Sequence, residues 1–345
     1  MPPRVTIRHI AKMANVHHTT VSLALRNSPR LREETRRHIR KLADEMGYVP
    51  DAMLASLNAY RRTVQPAGYQ ATIAWINNWP RRREPYRYFA DYFEGAKERA
   101  HSLGYALEEF WLREKGMTPR RLEQILKARN ILGLLLLPQP EASTRIDLDF
   151  SGFSVVNFGY SFQPAVFHVV TNHHPQSFRL ALSRLRDLGY RRIGFYEGSP
   201  DWDKRSNHAW LSSLLLEHWQ HRRVKVLSPL LSRRGRYPGF IDWVEKEKPD
   251  AVLTYSAFAD NLKKAGYRIP GDIGFASLHL PAMGSSLSGI CQNDATIGKR
   301  AVDLLVGMLQ RGERGVPETP LRLLVEGAWN PGQTLRPGAA ATSAP

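Results

Sequence analysis

The run Ile131-Leu132-Gly133-Leu134-Leu135-Leu136-Leu137 is apolar at every position. A strand with one face in water alternates apolar and polar residues, so an unbroken run fits a strand covered on both faces, as in a parallel sheet flanked by helices. It is also far too short for the roughly 18 to 20 residues of a membrane-spanning helix. The surrounding sequence keeps a strand-helix-strand rhythm from Ala71 onward. Strands are expected at Ala71 to Ile76, Tyr105 to Trp111, Ser154 to Phe158, Phe167 to Val170, Arg192 to Tyr196, Lys225 to Leu227, Ala251 to Thr254 and Ile273 to Ser277. Helical periodicity falls between them at Tyr88 to Ser102, Pro119 to Ala128, Gln176 to Leu188, Asn207 to Trp219, Pro238 to Lys246 and Thr296 to Leu309. The fold class is therefore α/β with doubly wound parallel sheets. Residues 71–337 are too many for one such sheet, so two subdomains are expected, about 71–159 plus 289–315 and about 160–280 plus 316–334, with a ligand cleft between them.

Residues 1–50 follow a different rhythm. Ile7, Ile10, Ala11 and Ala14 make the stripe of a short helix, with Thr6 as N-cap. After a turn at Asn15 and Val16, a second helix spans His17 to Leu25 with Val21, Ala24 and Leu25 on one face. A third, about Glu33 to Met46, stops at Gly47, a residue suited to the left-handed position that ends helices. Asp51 to Tyr60 has the pattern of one more short helix, Thr63 to Gly68 that of a linker, and Gly338 to Pro345 that of a frayed tail.

Charge singles out the same segment. The chain carries 49 Lys+Arg against 32 Asp+Glu, a net charge of +17. Twelve of those cations and only five acids fall in the first 62 residues, on less than a fifth of the chain. Two short helices joined by a tight turn in such a basic unit fit a helix-turn-helix, whose second helix can enter the major groove of a double helix. An ordinary three-helix bundle is the alternative that this pattern alone leaves open. The wider basic excess reads as a solvated surface.

The segment Val5-Thr6-Ile7-Arg8-His9-Ile10-Ala11-Lys12-Met13-Ala14-Asn15-Val16, followed by Thr20-Val21-Ser22, closely resembles the headpiece of the LacI/GalR family of bacterial transcription regulators. So do Glu33-Glu34-Thr35-Arg36 and the Gly47-Tyr48-Val49-Pro50 step. Looser likenesses continue at Leu103-Gly104-Tyr105, Leu188 to Ile193, Ile269 to Ile273 and Ile297 to Val302. The resemblance implies a homodimer whose two headpieces read a pseudopalindromic operator in double-stranded DNA, repression being the usual outcome. It puts base contacts on His18, Thr19 and Leu23, with His17, Thr20, Ser22 and Asn27 nearer the phosphates and Thr6 at the helix cap. Leu23 replaces a common Arg, which shifts readout from guanine toward thymine methyl groups. Leu57 is implied as a wedge into a minor-groove step, on a hinge helix (51–70 with its linker) ordered by DNA. The neighbouring His17 and His18 are not expected to form a metal pair, because adjacent helical side chains diverge.

The resemblance also implies that the α/β part is a periplasmic-binding-protein-like domain that takes a small-molecule effector, a sugar being one expected class. At strand ends and a helix start the candidates are Asn77, Trp79, Tyr88, Phe89, Asn172, Trp202, Arg205 and His279. Departures from the family pattern are Tyr255-Ser256 in place of an Asn-Asp pair, His279 near the place of a late Asp, and Asn172-His173-His174 where an acid is common.

Other functions are less well matched. Apolar residues at 42% and charged residues at 23% exclude a wholly disordered or fibrous chain. The single Cys291 excludes an internal disulfide and a cysteine zinc site. No G-x-S-x-G, phosphate loop, G-x-G-x-x-G or H-E-x-x-H motif occurs, so neither an enzyme nor a cofactor is expected. The N-terminus lacks the apolar stretch of a signal peptide, which points to the cytoplasm and away from a membrane. A solute-binding protein without operator recognition is the alternative function.

Overall fold

The computed structural model describes residues 5–25, 28, 31–48, 71–220, 224–231 and 237–337. The expected hinge helix and linker, and the expected tail, lie outside the described residues.

Three helices form the N-terminal unit: α1 (Ile7–Met13), α2 (His18–Leu25) and α3 (Glu33–Glu45). Thr6 caps α1 through a reciprocal box, its hydroxyl accepting from His9 N–H at 3.4 Å and its own N–H donating to His9 Nδ1 at 3.2 Å. The chain turns at Asn15, which takes a left-handed φ of 52°, a conformation that asparagine tolerates better than most residues. Ile10, Ala11, Val21, Ala24, Ile39 and Ala43 close a small core, edged by Val5, Ile7, Val16, Leu25 and Leu42. Gly47 follows α3 with φ 66°.

The remaining elements build two six-stranded sheets. The first has the order β11-β5-β4-β3-β1-β2, every neighbour parallel. Its strands are β1 (Ala71–Asn77), β2 (Tyr105–Trp111), β3 (Gly133–Leu136), β4 (Ser154–Phe158), β5 (His168–Asn172) and β11 (Arg322–Val325). The second has the order β12-β10-β9-β8-β6-β7, parallel except where β12 runs against β10. It consists of β6 (Arg192–Phe195), β7 (Lys225–Leu227), β8 (Ala251–Thr254), β9 (Gly274–Leu280), β10 (Ser288–Cys291) and β12 (Ala328–Asn330).

The apolar run of β3 does what its lack of alternation requires. Leu135 and Leu137 face α4 (Tyr86–Ser102) and α11 (Asp294–Arg311), while Leu134 and Leu136 face α5 (Pro119–Ala128). The second sheet is covered by α6 (His174–Asp187) and α8 (Ala209–Gln220) on one face, and by α9 (Phe240–Glu247) and α10 (Phe258–Lys264) on the other. A short α7 (Pro200–Arg205) follows β6.

Two expectations are corrected. The first lobe does not end near residue 160, because β5 still pairs with β4 in the first sheet and the chain crosses only after Asn172. Nor do 289–315 and 316–334 divide by lobe: β10 lies in the second sheet, α11 packs on the first, β11 returns to the first and β12 ends in the second. The chain thus passes between lobes three times. The strands β10 (Ser288–Cys291), β11 (Arg322–Val325) and β12 (Ala328–Asn330) are not among the expected ones.

Candidate nucleic-acid interface and ligand cleft

On α2, Val21, Ala24 and Leu25 turn into the headpiece core. At 100° per residue the opposite side of the helix is centred on Thr19 and Leu23, with Ser22 and Thr20 at its two flanks, while His18, the first helical residue, lies on the Leu25 side. His17, His18, Thr19 and Thr6 are exposed, and Thr20, Ser22 and Leu23 are half-buried. His17 precedes the helix, with Nδ1 2.9 Å from the Thr19 hydroxyl, and its carbonyl accepts from Thr20 N–H at 2.9 Å. The His17 and His18 rings do not diverge as expected; their centroids are 4.1 Å apart, because His17 is outside the helix and the helical geometry does not apply to it. Among the described residues no group of three or more His, Cys, Asp or Glu is placed to hold a metal. Exposed Arg8, Lys12, Arg32 and Lys41 surround the unit. Asn27 and Leu57 lie outside the described residues.

The second candidate site follows from topology. Strand order reverses beside β1 and β3 in the first sheet and beside β6 and β8 in the second, and open α/β sheets bind ligands at the carboxyl ends of strands at such points. Trp79 follows β1 and is buried, its indole N–H donating to Pro138 O at 2.8 Å. Phe89 and Tyr88, early in α4, gather beside it at 6.3 and 6.2 Å between ring centroids. Phe89 breaks the helix with φ −128° and ψ 22°. Arg205, the last residue of α7, comes from the other lobe: its guanidinium is 5.7 Å from the Trp79 ring centroid, and Nη1 donates to Pro140 O at 3.4 Å. Trp202 packs edge-on to Tyr255 at 4.8 Å. Arg205 thus brings the second lobe against the Trp79, Tyr88 and Phe89 group of the first.

Three candidates serve the framework. Asn77 is fully buried, donating to Arg82 O at 2.9 Å and Glu109 Oε1 at 2.8 Å and accepting from Trp79 N–H at 3.0 Å. Both amide protons are used and the side chain is fully buried, so it fixes the loop that carries Trp79. Asn172 accepts from the Tyr92 hydroxyl at 2.7 Å and donates to Asp294 Oδ1 at 3.3 Å. His279 Nε2 is hydrogen-bonded to the other oxygen of the same carboxylate. Asp294 therefore ties β5 of one lobe to β9 of the other. Burial opposes the charged form of His279, but the bond and charge of Asp294 and the charge of Asp91 outweigh it and raise its pKa. His174, half-buried with its Nδ1 out of water and its ring centroid 4.7 Å from that of Trp210, is pushed down to about 4 by desolvation and by the charge of His279.

Sequence reasoning missed Asp294 and Glu197. Glu197 follows β6, is fully buried, accepts from Asp203 N–H at 3.2 Å and leaves Oε2 without a partner among the described residues. Burial and the charge of Asp203 push its pKa up to about 9, so it is uncharged at neutral pH. Its place just past a strand at the point of order reversal was the available signal. Asp203 is itself held by His208 Nδ1 at 2.8 Å and Leu211 N–H at 3.0 Å.

Comparison with known proteins agrees with this division. Residues 6–51 match the family described as bacterial regulatory proteins, lacI family, and residues 182–333 match the periplasmic binding protein-like domain. The chain is 53% identical over 53 residues to the probable HTH-type transcriptional repressor ExuR of Bacillus subtilis, a match covering 15% of this chain and 16% of that protein. It is 24% identical over 345 residues to the HTH-type transcriptional repressor PurR of Haemophilus influenzae, covering 91% of this chain and 94% of that one. Among solved structures, a transcriptional regulator CelR–cellobiose complex shares 20% identity with a TM-score of 0.55, covering 96% of this chain and 100% of that one. A lac repressor dimer bound to operator and the anti-inducer ONPF shares 19% identity with a TM-score of 0.54, covering 97% and 100%. At these identities the structural matches speak for the fold. Among the described residues, no helix is long and apolar enough to cross a membrane.

Proposed function

Because the chain belongs to the LacI/GalR family of bacterial transcription regulators, we propose that it represses transcription as a homodimer on a pseudopalindromic operator, released or retained by a small molecule in the interlobe cleft. The observation that carries this reading is the outward face of α2, where Thr19, Ser22 and Leu23 lie opposite the core residues Val21 and Ala24, with exposed His18 at the start of the helix. A helix presented in this way enters the major groove, and nearby cations hold phosphates. Leu23 and Thr19 contact base edges there, His17 and Thr20 lie toward the backbone, and Asn27 does the same. Leu57 wedges into the minor groove between the two half-sites.

The effector is held between the aromatic wall of Trp79, Tyr88 and Phe89 and the opposing Trp202 and Arg205. Its binding changes the angle between lobes joined by three crossings, and so the spacing of two headpieces in a dimer.

The test is selection of bound sequences from a random duplex pool by the full chain. One recovered inverted repeat, bound with a log-log salt slope near −0.9 per phosphate neutralised, supports the reading. Equal affinity for scrambled duplexes overturns it. Removal of residues 1–62 with no loss of cellular function would favour a solute-binding protein instead.

A further inference from the structure

We propose that the corner of the first lobe beyond the ends of β1 and β2 is a second binding surface for double-stranded DNA, holding the phosphates of duplex outside the operator. It takes from the reading above only that DNA is the partner, and it depends neither on the effector nor on how the headpiece reads bases.

Beyond residue 62 the chain has 37 Lys/Arg against 27 Asp/Glu. That excess is not the evenly solvated surface expected from the sequence. Residues 80–88 and 113–121, 18 residues in all, hold eight of the cations and two of the acids, a surplus of six out of ten. Folding brings the two stretches together. β1 and β2 are parallel neighbours with Asn77 beside Trp111. The loops that leave them are stitched by Trp111 Nε1 donating to Trp79 O at 2.8 Å, Leu112 N–H to Asn77 O at 2.8 Å and Arg113 Nε to Asn78 O at 3.5 Å. Arg121 Nη1 donates to Gly116 O at 3.1 Å and draws the start of α5 into the same corner.

All eight cations are exposed. Among the described residues only Arg82 of the eight has a carboxylate partner, Glu109 at 2.8 Å. Arg113 and Arg121 bond to carbonyls, which position them without cancelling their charge. The two acids of these stretches, Glu84 and Glu114, leave most of the surplus standing. Local electrostatics oppose the placement as well. Arg87, Arg120 and Arg121 stand in the first turns of α4 and α5, at the positive end of the helix dipole, and neither first turn has an acid. By contrast, α3 begins with Glu33 and Glu34. An arrangement unfavourable in the isolated protein becomes favourable beside a polyanion.

The side chains favour nucleic acid over an acidic protein. Seven of the eight are arginines, whose forked guanidinium fits phosphate oxygens two at a time. A protein interface centres on buried apolar anchors. Among the described residues of these stretches the only exposed large apolar side chain is Tyr88, which sits by Trp79 with ring centroids 6.2 Å apart. Contacts to phosphates carry no base reading, so the surface is blind to sequence.

The test is equilibrium binding of the full chain to a scrambled duplex of about 60 base pairs across a salt series, which needs no operator. One variant combines Arg81→Gln, Arg83→Gln, Arg87→Gln and Lys115→Gln. A control combines Arg145→Gln, Arg184→Gln, Lys225→Gln and Lys246→Gln, exposed cations elsewhere, for the same loss of net charge. Both are checked for folding by melting temperature. The corner variant should bind about tenfold or more weakly near physiological salt, with a log-log salt slope shallower by about 2, the loss of two or more phosphate contacts at about 0.9 each. The control should stay near the parent, and lysine at the three arginine positions should keep the slope. Equal losses in the two Gln variants, no loss in the corner variant, or failure of the parent to bind any duplex overturns the proposal. Polyglutamate bound as tightly as duplex, and lost in the corner variant, would assign the corner to an acidic protein and overturn the DNA assignment. The two readings fail separately. A recovered operator with the corner variant matching its control leaves the regulator and removes this surface, whereas a corner effect with no recovered operator keeps the surface and removes the sequence-specific regulator.

Discussion

Gly95 of α4 and Gly298 of α11 each lie against the other helix's backbone: a Cβ at Gly95 would fall 2.1 Å from Ala295 O, and one at Gly298 would fall 2.1 Å from Tyr92 O. No side chain can yield here, since both obstacles are main chain. Gly95→Ala or Gly298→Ala must force the helices apart, and overpacking of a tight core typically costs about 1–3 kcal/mol. The expected result is a loss at the upper end of that range in chemical denaturation, with secondary structure retained. Unchanged stability would mean that the helices are not in backbone contact.

The His174 ring, packed against Trp210, makes stability sensitive to acid. Its folded pKa of about 4 lies below the ordinary histidine value of about 6.5. Between these values the unfolded chain binds the proton and the folded chain does not, so stability is present above pH 6.5 and lost as pH falls toward 4. The loss should approach roughly 3 kcal/mol. His174→Phe, which keeps a ring against Trp210, should flatten the acid limb of a stability–pH curve relative to the parent.

Glu197 acts at the other end. Its folded pKa of about 9 lies above the ordinary 4.5, so its contribution is fully present below pH 4.5 and is lost as pH rises through 9. Glu197→Gln keeps an acceptor for Asp203 N–H and removes the titration. At pH 8 the variant should be more stable than the parent by roughly 3 kcal/mol or more, and at pH 4.5 the two should converge. Parallel curves for the two proteins would rule out a neutral buried acid.

Leu23 should set one base of the operator. Leu23→Arg places a guanidinium on the same outward face of α2, where arginine reads guanine through O6 and N7. Duplex selection with the variant should replace one symmetric pair of positions by G·C, worth about 1–3 kcal/mol of discrimination. An unchanged motif would place Leu23 away from the bases.

The elements most legible in the sequence were those set off by the alternation of apolar runs with helical stretches. Tyr105–Trp111, Pro119–Ala128, Ser154–Phe158, Lys225–Leu227 and Ala251–Thr254 fall where the pattern puts them, and Thr6 caps α1 with a bond to its predicted helix. The face of α2 was legible too, because Val21, Ala24 and Leu25 define it by their own burial. Less visible were features set by distant partners. Asn77 and Asn172 look like ligand amides in one dimension, yet Glu109 and Tyr92, dozens of residues away in sequence, occupy them. Glu197 gives no sign in sequence that it is buried or neutral, since both follow from packing by α7 and Asp203. The short strands β10–β12 depend on pairing partners, and their own composition does not mark them.

The three passages of chain between the lobes bear on how this protein can fail. A translation stop anywhere between Asn172 and Val325 strips strands from both sheets at once, and one before Asp294 also removes α11, on which the first sheet is built. No shortened product from that interval retains an intact half, so late nonsense mutations should yield fragments for degradation, with no surviving ligand-blind regulator.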